Sequence, residues 1–311
     1  MFDGLAHQKG TVINMEIKIL GQEHFFELRD LLDGVFSRKY GKETRFAKLF
    51  PRLFENPNAY TTSSHLGAFE DGRLIGTAAM YPLDYVVGGV HIRLIGNGNV
   101  AVHEDFRNRG IMTQLLYAIN DACDISGDVG YLHGDPVRYG RVGYIGGGIE
   151  YLLTFHPSKQ IGFEFLPMSE KDVSFCRARS EENCDYIVRS DEDFIPALRS
   201  GKREAISVFR GGTLAGYLSL NRESGEVEEF GFGSDTLSEV EVFSALAAAL
   251  DKPVRVRLSG YNVKTLERCK DHARVFVGQP ALFRVIQKEK LCEAACALGL
   301  PKETMYAPYL T

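Results

Sequence analysis

Apolar positions along the chain switch repeatedly between a period of two and a period near 3.6. Residues 15–20 alternate as a short strand, and from Phe25 the apolar Leu28, Leu32, Val35 and Phe36 fall at helical spacing. Phe46, Leu49, Phe50 and Leu53 predict a second, short helix. Residues 66–76 then predict two strands around Asp71-Gly72, a dipeptide that tolerates the positive φ angles of a tight hairpin, with the second strand running to about residue 86. A further strand is expected over 92–103. From Ile111 a helix of about four turns carries Leu115, Ile119 and Ala122, with Met112, Leu116 and Cys123 beside them. Such alternation predicts mixed α/β layers and excludes an all-α or all-β domain.

The hairpin returns. Phe69, Gly72, Leu74 and Gly76 match Phe209, Gly212, Leu214 and Gly216, each 140 residues further on, which predicts a duplicated unit. After the second hairpin come a strand over 227–232, a helix with Leu237, Val240, Phe243, Leu246 and Leu250, a strand over 254–258 and a helix over 263–269. The boundary is expected near His156-Pro157-Ser158-Lys159, where a Pro follows the strand-like 151–155 and the pattern restarts near Phe163.

A length of 311 residues fits two cores. Hydrophobic residues at 44%, charged residues at 25% and a net charge of −5 exclude a disordered or fibrous chain, and no clustered basic face argues for nucleic acid. No apolar run reaches the roughly 18 residues of a membrane span. Residues 1–14 lack the basic start and apolar stretch of a secretory signal and are expected to be a loose extension. Six cysteines at 123, 176, 184, 269, 292 and 296 include no Cys-x-x-Cys pair, so neither a zinc site nor a disulfide framework is expected, and a reducing cytoplasm is. Cys292 and Cys296 are expected to share an apolar helix face.

The two halves differ ahead of their helices. The first has Arg107-Asn108-Arg109-Gly110-Ile111-Met112-Thr113; the second has Gly231-Phe232-Gly233-Ser234-Asp235-Thr236. A helix start leaves N–H groups unpaired and carries partial positive charge, so a strand, a Gly-bearing loop and a helix make a pyrophosphate cradle. Arg107 and Arg109 add charge, although a solvated basic turn has the same composition. Gly96-Asn97-Gly98-Asn99-Val100-Ala101 satisfies G-x-G-x-x-A but leads into a strand, so its dinucleotide context fails. Gly146-Gly147-Gly148 reads as a bulge or a close backbone approach.

The order strand, two helices, hairpin, strand, Arg-x-x-Gly loop and helix resembles the GNAT superfamily of acetyl-CoA-dependent N-acetyltransferases. Residues 100–111, with Val100, Ala101 and Val102 leading to Arg107-Asn108-Arg109-Gly110, are similar to its acetyl-CoA signature, departing from it at Met112, where Gly or Ala is preferred. Residues 132–144, with Tyr139-Gly140-Arg141-Val142-Gly143-Tyr144, are similar to its later Tyr-bearing block. With a duplicated second half the chain resembles the enhanced intracellular survival group, whose sterol-carrier-like domain is not expected here.

The resemblance implies tandem GNAT-like domains, each a mixed, mostly antiparallel twisted sheet flanked by helices (α/β, α+β). It divides the chain into an extension (1–14), an acetyl-CoA-binding catalytic domain (15–156) and a degenerate second domain with a C-terminal tail (157–311). It implies acetyl-CoA as co-substrate without a metal, backbone pairing of Val100 and Val102 with the pantetheine arm, and N–H groups from Arg107 to Thr113 on the pyrophosphate. Tyr139 would protonate the departing thiolate. Asp135 and Pro136 read as a helix cap and first helical residue, and Tyr139 also fits a packed aromatic. Glu70, His91, Glu104, His133 and the terminal carboxylate after Tyr306-Ala307-Pro308-Tyr309-Leu310-Thr311 are alternatives for the base. The acceptor is expected to be a small-molecule or protein amine. A non-catalytic acyl-CoA-binding or regulatory module is the alternative from another class, and an aminoacyl- or peptidyl-transferase a further one, disfavoured by the missing basic stripe.

Overall fold

The computed structural model describes residues 15–158, 162–233, 237–279 and 281–299. β1 (Met15–Ile19) is followed by α1 (Phe25–Tyr40), α2 (Phe46–Leu49), α3 (Pro51–Phe54) and α4 (Ala59–Ser63), then by β2 (His65–Glu70), β3 (Arg73–Val87) and β4 (Val90–Val102). Asp71 at φ 50° and Gly72 at φ 76° close the β2–β3 hairpin, as the dipeptide predicts. α5 (Ile111–Ser126) crosses to β5 (Val129–Leu132), which lies parallel to β4, and α6 (Pro136–Gly140), β6 (Ile145–Gly147) and β7 (Glu150–Phe155) follow.

The rest of the chain runs β8 (Phe163–Pro167), α7 (Glu170–Glu181), β9 (Asp185–Ile187), α8 (Asp191–Leu198), β10 (Glu204–Arg210), β11 (Thr213–Asn221), β12 (Glu226–Phe232), α9 (Glu239–Leu250), β13 (Val254–Ser259), α10 (Val263–Cys269), β14 (Arg274–Gly278), β15 (Ala281–Val285) and α11 (Lys288–Ala297). Two sheets result. The first has the order β1-β2-β3-β4-β5-β15-β6, with β9 added on β3, and the second the order β14-β7-β13-β12-β11-β10-β8. Only β4–β5 and β12–β13 are parallel among the described pairs, so both sheets are mixed and mostly antiparallel, as expected.

Each sheet borrows a strand from the other end of the chain. β15 inserts between β5 and β6, while β7 inserts between β13 and β14. The position expected to separate the halves, near 156, therefore falls between two strands of the second sheet. Local pattern carries no information about which sheet a strand joins. Leu153 and Phe155 of β7 pack with Val242, Phe243 and Leu246 of α9, whereas Leu282 of β15 packs with Leu116, Leu132 and Tyr144.

The two hairpins share a register irregularity. The β2–β3 register shifts between Ala68 and Phe69, with Ala68 opposite Gly76; the β10–β11 register shifts between Val208 and Phe209, with Val208 opposite Gly216.

Helices cover both faces of the first sheet. Ile111, Leu115, Ile119 and Cys123 of α5 are buried on Ile75, Ala78 and Ile95, and Leu28, Leu31, Leu32 and Val35 of α1 are buried with Phe46 and Phe54 on Leu20, Phe69, Leu74 and Ala101. Each of the buried Leu, Ile, Val and Phe side chains contributes about 1.5–3 kcal/mol. The single short helix expected over 46–53 is broken in two at Phe50, because Pro51 has no N–H and favours a first helical position; α4 was not expected. On α11 the buried face is Ala294 and Ala295, with Leu291 and Leu298 beside them. Cys296 is exposed and does not share that face, contrary to the expectation.

Candidate active site

β4 keeps its partner on one edge and loses it on the other. It pairs with β3 from Val90 to Val102, but with β5 only at Leu94, Ile95 and Gly96, opposite Val129, Gly130 and Tyr131. Over 97–102 no strand lies on that edge among the described residues. The divergence has a local cause: a bulge places Asn99 and Val100 opposite Ala78 alone, with Asn99 left-handed at φ 53°, and an extra residue bends the bulged strand. Beyond the bulge Val100 and Val102 face the α5 side, and Ala101 faces the α1 side.

The loop after β4 reaches α5 through two left-handed residues, Asn108 at φ 62° and Gly110 at φ 75°. Gly110 caps α5, and nothing lies within 4 Å of where its Cβ would stand, so the approach to the helix start is open. Gln114 N is the first to bond back, to Gly110 O; as in any helix, the N–H groups of Ile111, Met112 and Thr113 precede this ladder. Ile111 is buried, Met112 half-buried and Thr113 exposed.

The two arginines differ. Arg109 makes a two-point ion pair with Glu70, one contact at 3.1 Å, and lies over the Phe106 ring at 5.3 Å. Its charge is neutralised by the hairpin. Arg107 donates through Nε to Val102 O at 3.4 Å and is otherwise exposed, so it is the arginine of this loop whose charge faces solvent.

Tyr139 is set by α6. Asp135 Oδ1 accepts from the N–H groups of Val137 at 2.9 Å and Arg138 at 3.4 Å, and Pro136 takes the first helical position. The ring lies on Gly134, where a Cβ would stand 2.2 Å from Tyr139 Cε2. Tyr139, Val100 and Met112 all pack against the buried group of Leu116, Leu132, Val142, Tyr144 and Leu282. Burial raises the Tyr139 pKa above that of a free phenol, so the group stays protonated and able to donate. The structure thus brings Tyr139, the unpaired edge of β4 and the start of α5 together.

It scatters the residues considered as bases. Glu70 is held by Arg109, which lowers its pKa. His91 is exposed beside Asp84 at 3.0 Å, Glu104 pairs with Arg38 at 3.2 Å, and exposed His133 packs edge-on against Tyr131. The terminal carboxylate lies outside the described residues. Sequence reasoning missed a network on the α1 side: fully buried His65, with Tyr81 and Asn99. Its only trace in the sequence was a second polar residue, Asn99, two positions after Asn97 within a strand.

At the corresponding place in the second sheet, residues 234–236 lie outside the description, but the first turn of α9 carries Glu239. That carboxylate is nearly buried and pairs with Arg268 through two contacts, one at 3.0 Å. An acidic group therefore already occupies the positive end of α9, where α5 is open.

The family model for the Acetyltransferase (GNAT) domain matches residues 16–145. An uncharacterized N-acetyltransferase, YhbS of Escherichia coli strain K12, is 29% identical over 117 residues, which are 36% of this chain and 65% of that relative, just under two thirds of its length. A probable N-acyltransferase from Enterococcus faecalis V583 superposes with a TM-score of 0.64 at 17% identity, covering 90% of this chain and 75% of that one. Eis1 from Mycobacterium abscessus does so with a TM-score of 0.54 at 18% identity, with the same coverages. The fold is that of GNAT acetyltransferase structures, over nine-tenths of the chain.

Proposed function

We propose that the chain is an acetyl-CoA-dependent N-acetyltransferase with one cofactor site, and that its second half is a duplicated GNAT-like unit without one. The observation that carries the reading is the unpaired edge of β4 over 97–102, which leads directly into the open, left-handed loop at the start of α5. Acetyl-CoA would supply an activated thioester. Val100 and Val102 would pair with the pantetheine arm as an added strand, and the N–H groups of residues 107–113 would face the pyrophosphate. Arg109 contributes backbone here, since Glu70 holds its side chain, and Arg107 contributes charge. Tyr139 would protonate the sulfur as the amine displaces it. The shared hairpin register and strand order support the duplication, and Glu239 with Arg268 at the start of α9 supports a single cofactor site. The acceptor is an amine, small or protein-borne. Six thiols outside any disulfide suit a reducing cytoplasm.

Thermal unfolding with and without acetyl-CoA tests this. At about 100 times the dissociation constant the ligand adds roughly 2.7 kcal/mol, a rise of several degrees in Tm. A Gly110→Glu variant, with a carboxylate at the helix start, should lose the rise. No rise in the parent protein would overturn the reading.

A further inference from the structure

Asn97 and Asn99 stand two residues apart on β4, and their amides end in different states. Asn97, buried on the α5 side, donates to Tyr144 Oη and accepts from Cys123 Sγ at 3.9 Å. Asn99, half-buried, uses its amide hydrogens on the other side: Nδ2 lies 2.8 Å from Tyr81 Oη and 3.2 Å from His65 Nε2.

The orientation of the Asn99 amide follows from the imidazole. His65 is fully buried, and its Nδ1 lies 2.7 Å from Thr61 O. A carbonyl only accepts, so Nδ1 carries the proton and Nε2 presents a lone pair. Burial holds the ring neutral, with a pKa lowered to about 4. A lone pair on Nε2 requires an N–H opposite it; the reverse amide orientation would set two acceptors against each other. Tyr81 Oη, 3.5 Å from Nε2, is the more distant neighbour. Both amide hydrogens of Asn99 are therefore committed, and its Oδ1 has no partner among the described residues. This oxygen belongs to the bulge residue Asn99, which lies within the open 97–102 edge of β4, immediately before Val100.

We propose that Asn99 Oδ1 accepts a hydrogen bond from the N–H of the acceptor amine, with His65 and Tyr81 as positioning residues that fix the amide. This rests on the acetyl-CoA reading above. A neutral amide oxygen takes no proton, so Asn99 aligns the amine and leaves its deprotonation to water. The subsite favours nucleophiles that bear a hydrogen-bond donor.

Two CoA derivatives test the contact without knowledge of the natural acceptor: one carries S–CH2–C(=O)–NH–CH3, and the other the matching methyl ester, S–CH2–C(=O)–O–CH3. By calorimetry the parent protein should bind the amide about 5- to 30-fold more tightly than the ester. An Asn99→Gly variant, whose residue suits φ 53°, should bind the amide and the ester alike. Equal binding of amide and ester by the parent protein, with CoA bound normally, would overturn the inference and leave the acetyl-CoA reading standing. Absence of CoA binding in the parent protein would overturn that reading, and the inference with it.

Discussion

Arg109 and Glu70 join the loop ahead of α5 to the tip of the β2–β3 hairpin through two parallel contacts. The pair lowers the Glu70 pKa and raises that of Arg109. Because the folded carboxyl titrates below its unfolded value, its stabilisation is complete above the ordinary glutamate range and disappears as the pH falls through the lower, folded value. The Tm difference between the parent protein and Glu70→Gln should therefore be constant at neutral pH and close in acid. Melting curves from pH 7 to 3 check this; a difference that does not change with pH would contradict it.

His65 predicts a separate acid sensitivity. Its pKa falls from 6.5 to about 4 on burial. Between those values the unfolded chain binds a proton that the folded chain refuses, so stability drops as the pH falls through this window, by about 3 kcal/mol in all. A His65→Leu variant should lose this part of the slope. Denaturant unfolding at pH 7, 5.5 and 4 reads it, and parallel slopes for the two proteins would count against a neutral buried imidazole.

Tyr139→Phe should slow acetyl transfer by about 10²- to 10⁴-fold while acetyl-CoA affinity stays nearly constant. The ring still fills its place on Gly134, so the melting point should move little. Thiol release with an amine found by screening measures the rate, and calorimetry the affinity. An unchanged rate would make Tyr139 a packed aromatic.

A fragment of residues 1–156 should not fold alone. It lacks β15, the partner that joins β6 to β5, and its own β7 belongs beside β13. Mixing it with residues 157–311 should restore a cooperative transition, seen by circular dichroism. A cooperative transition in the isolated fragment would contradict this.

Much of the first sheet was legible in the sequence, because its elements announce themselves locally. Asp71-Gly72 fixes a hairpin, and Ile111, Leu115 and Ile119 fix the buried face of α5. The Arg-x-x-Gly loop was legible for the same reason. What escaped depends on partners far along the chain. The short 281–285 stretch reads alike whether it joins either sheet, and its insertion beside β5 is decided by Leu282 meeting Leu116 and Leu132. Arg109 reads as a free cation until the hairpin brings Glu70 to it. Asn99 reads as an ordinary turn former, since nothing nearby in sequence reveals that His65, 34 positions earlier, holds its amide.

The exchanged strands also set a timetable for synthesis. Among the described residues β6 pairs within the first sheet only with β15, and 281–285 are made long after 145–147. At about 5–20 residues per second, this interval lasts roughly 7 to 27 s. For that time the nascent first sheet carries an uncovered edge at β5, a template for pairing with any other extended chain. Crowding of ribosomes on one message should therefore favour mispaired dimers of this protein over those of a chain whose sheets close in sequence order.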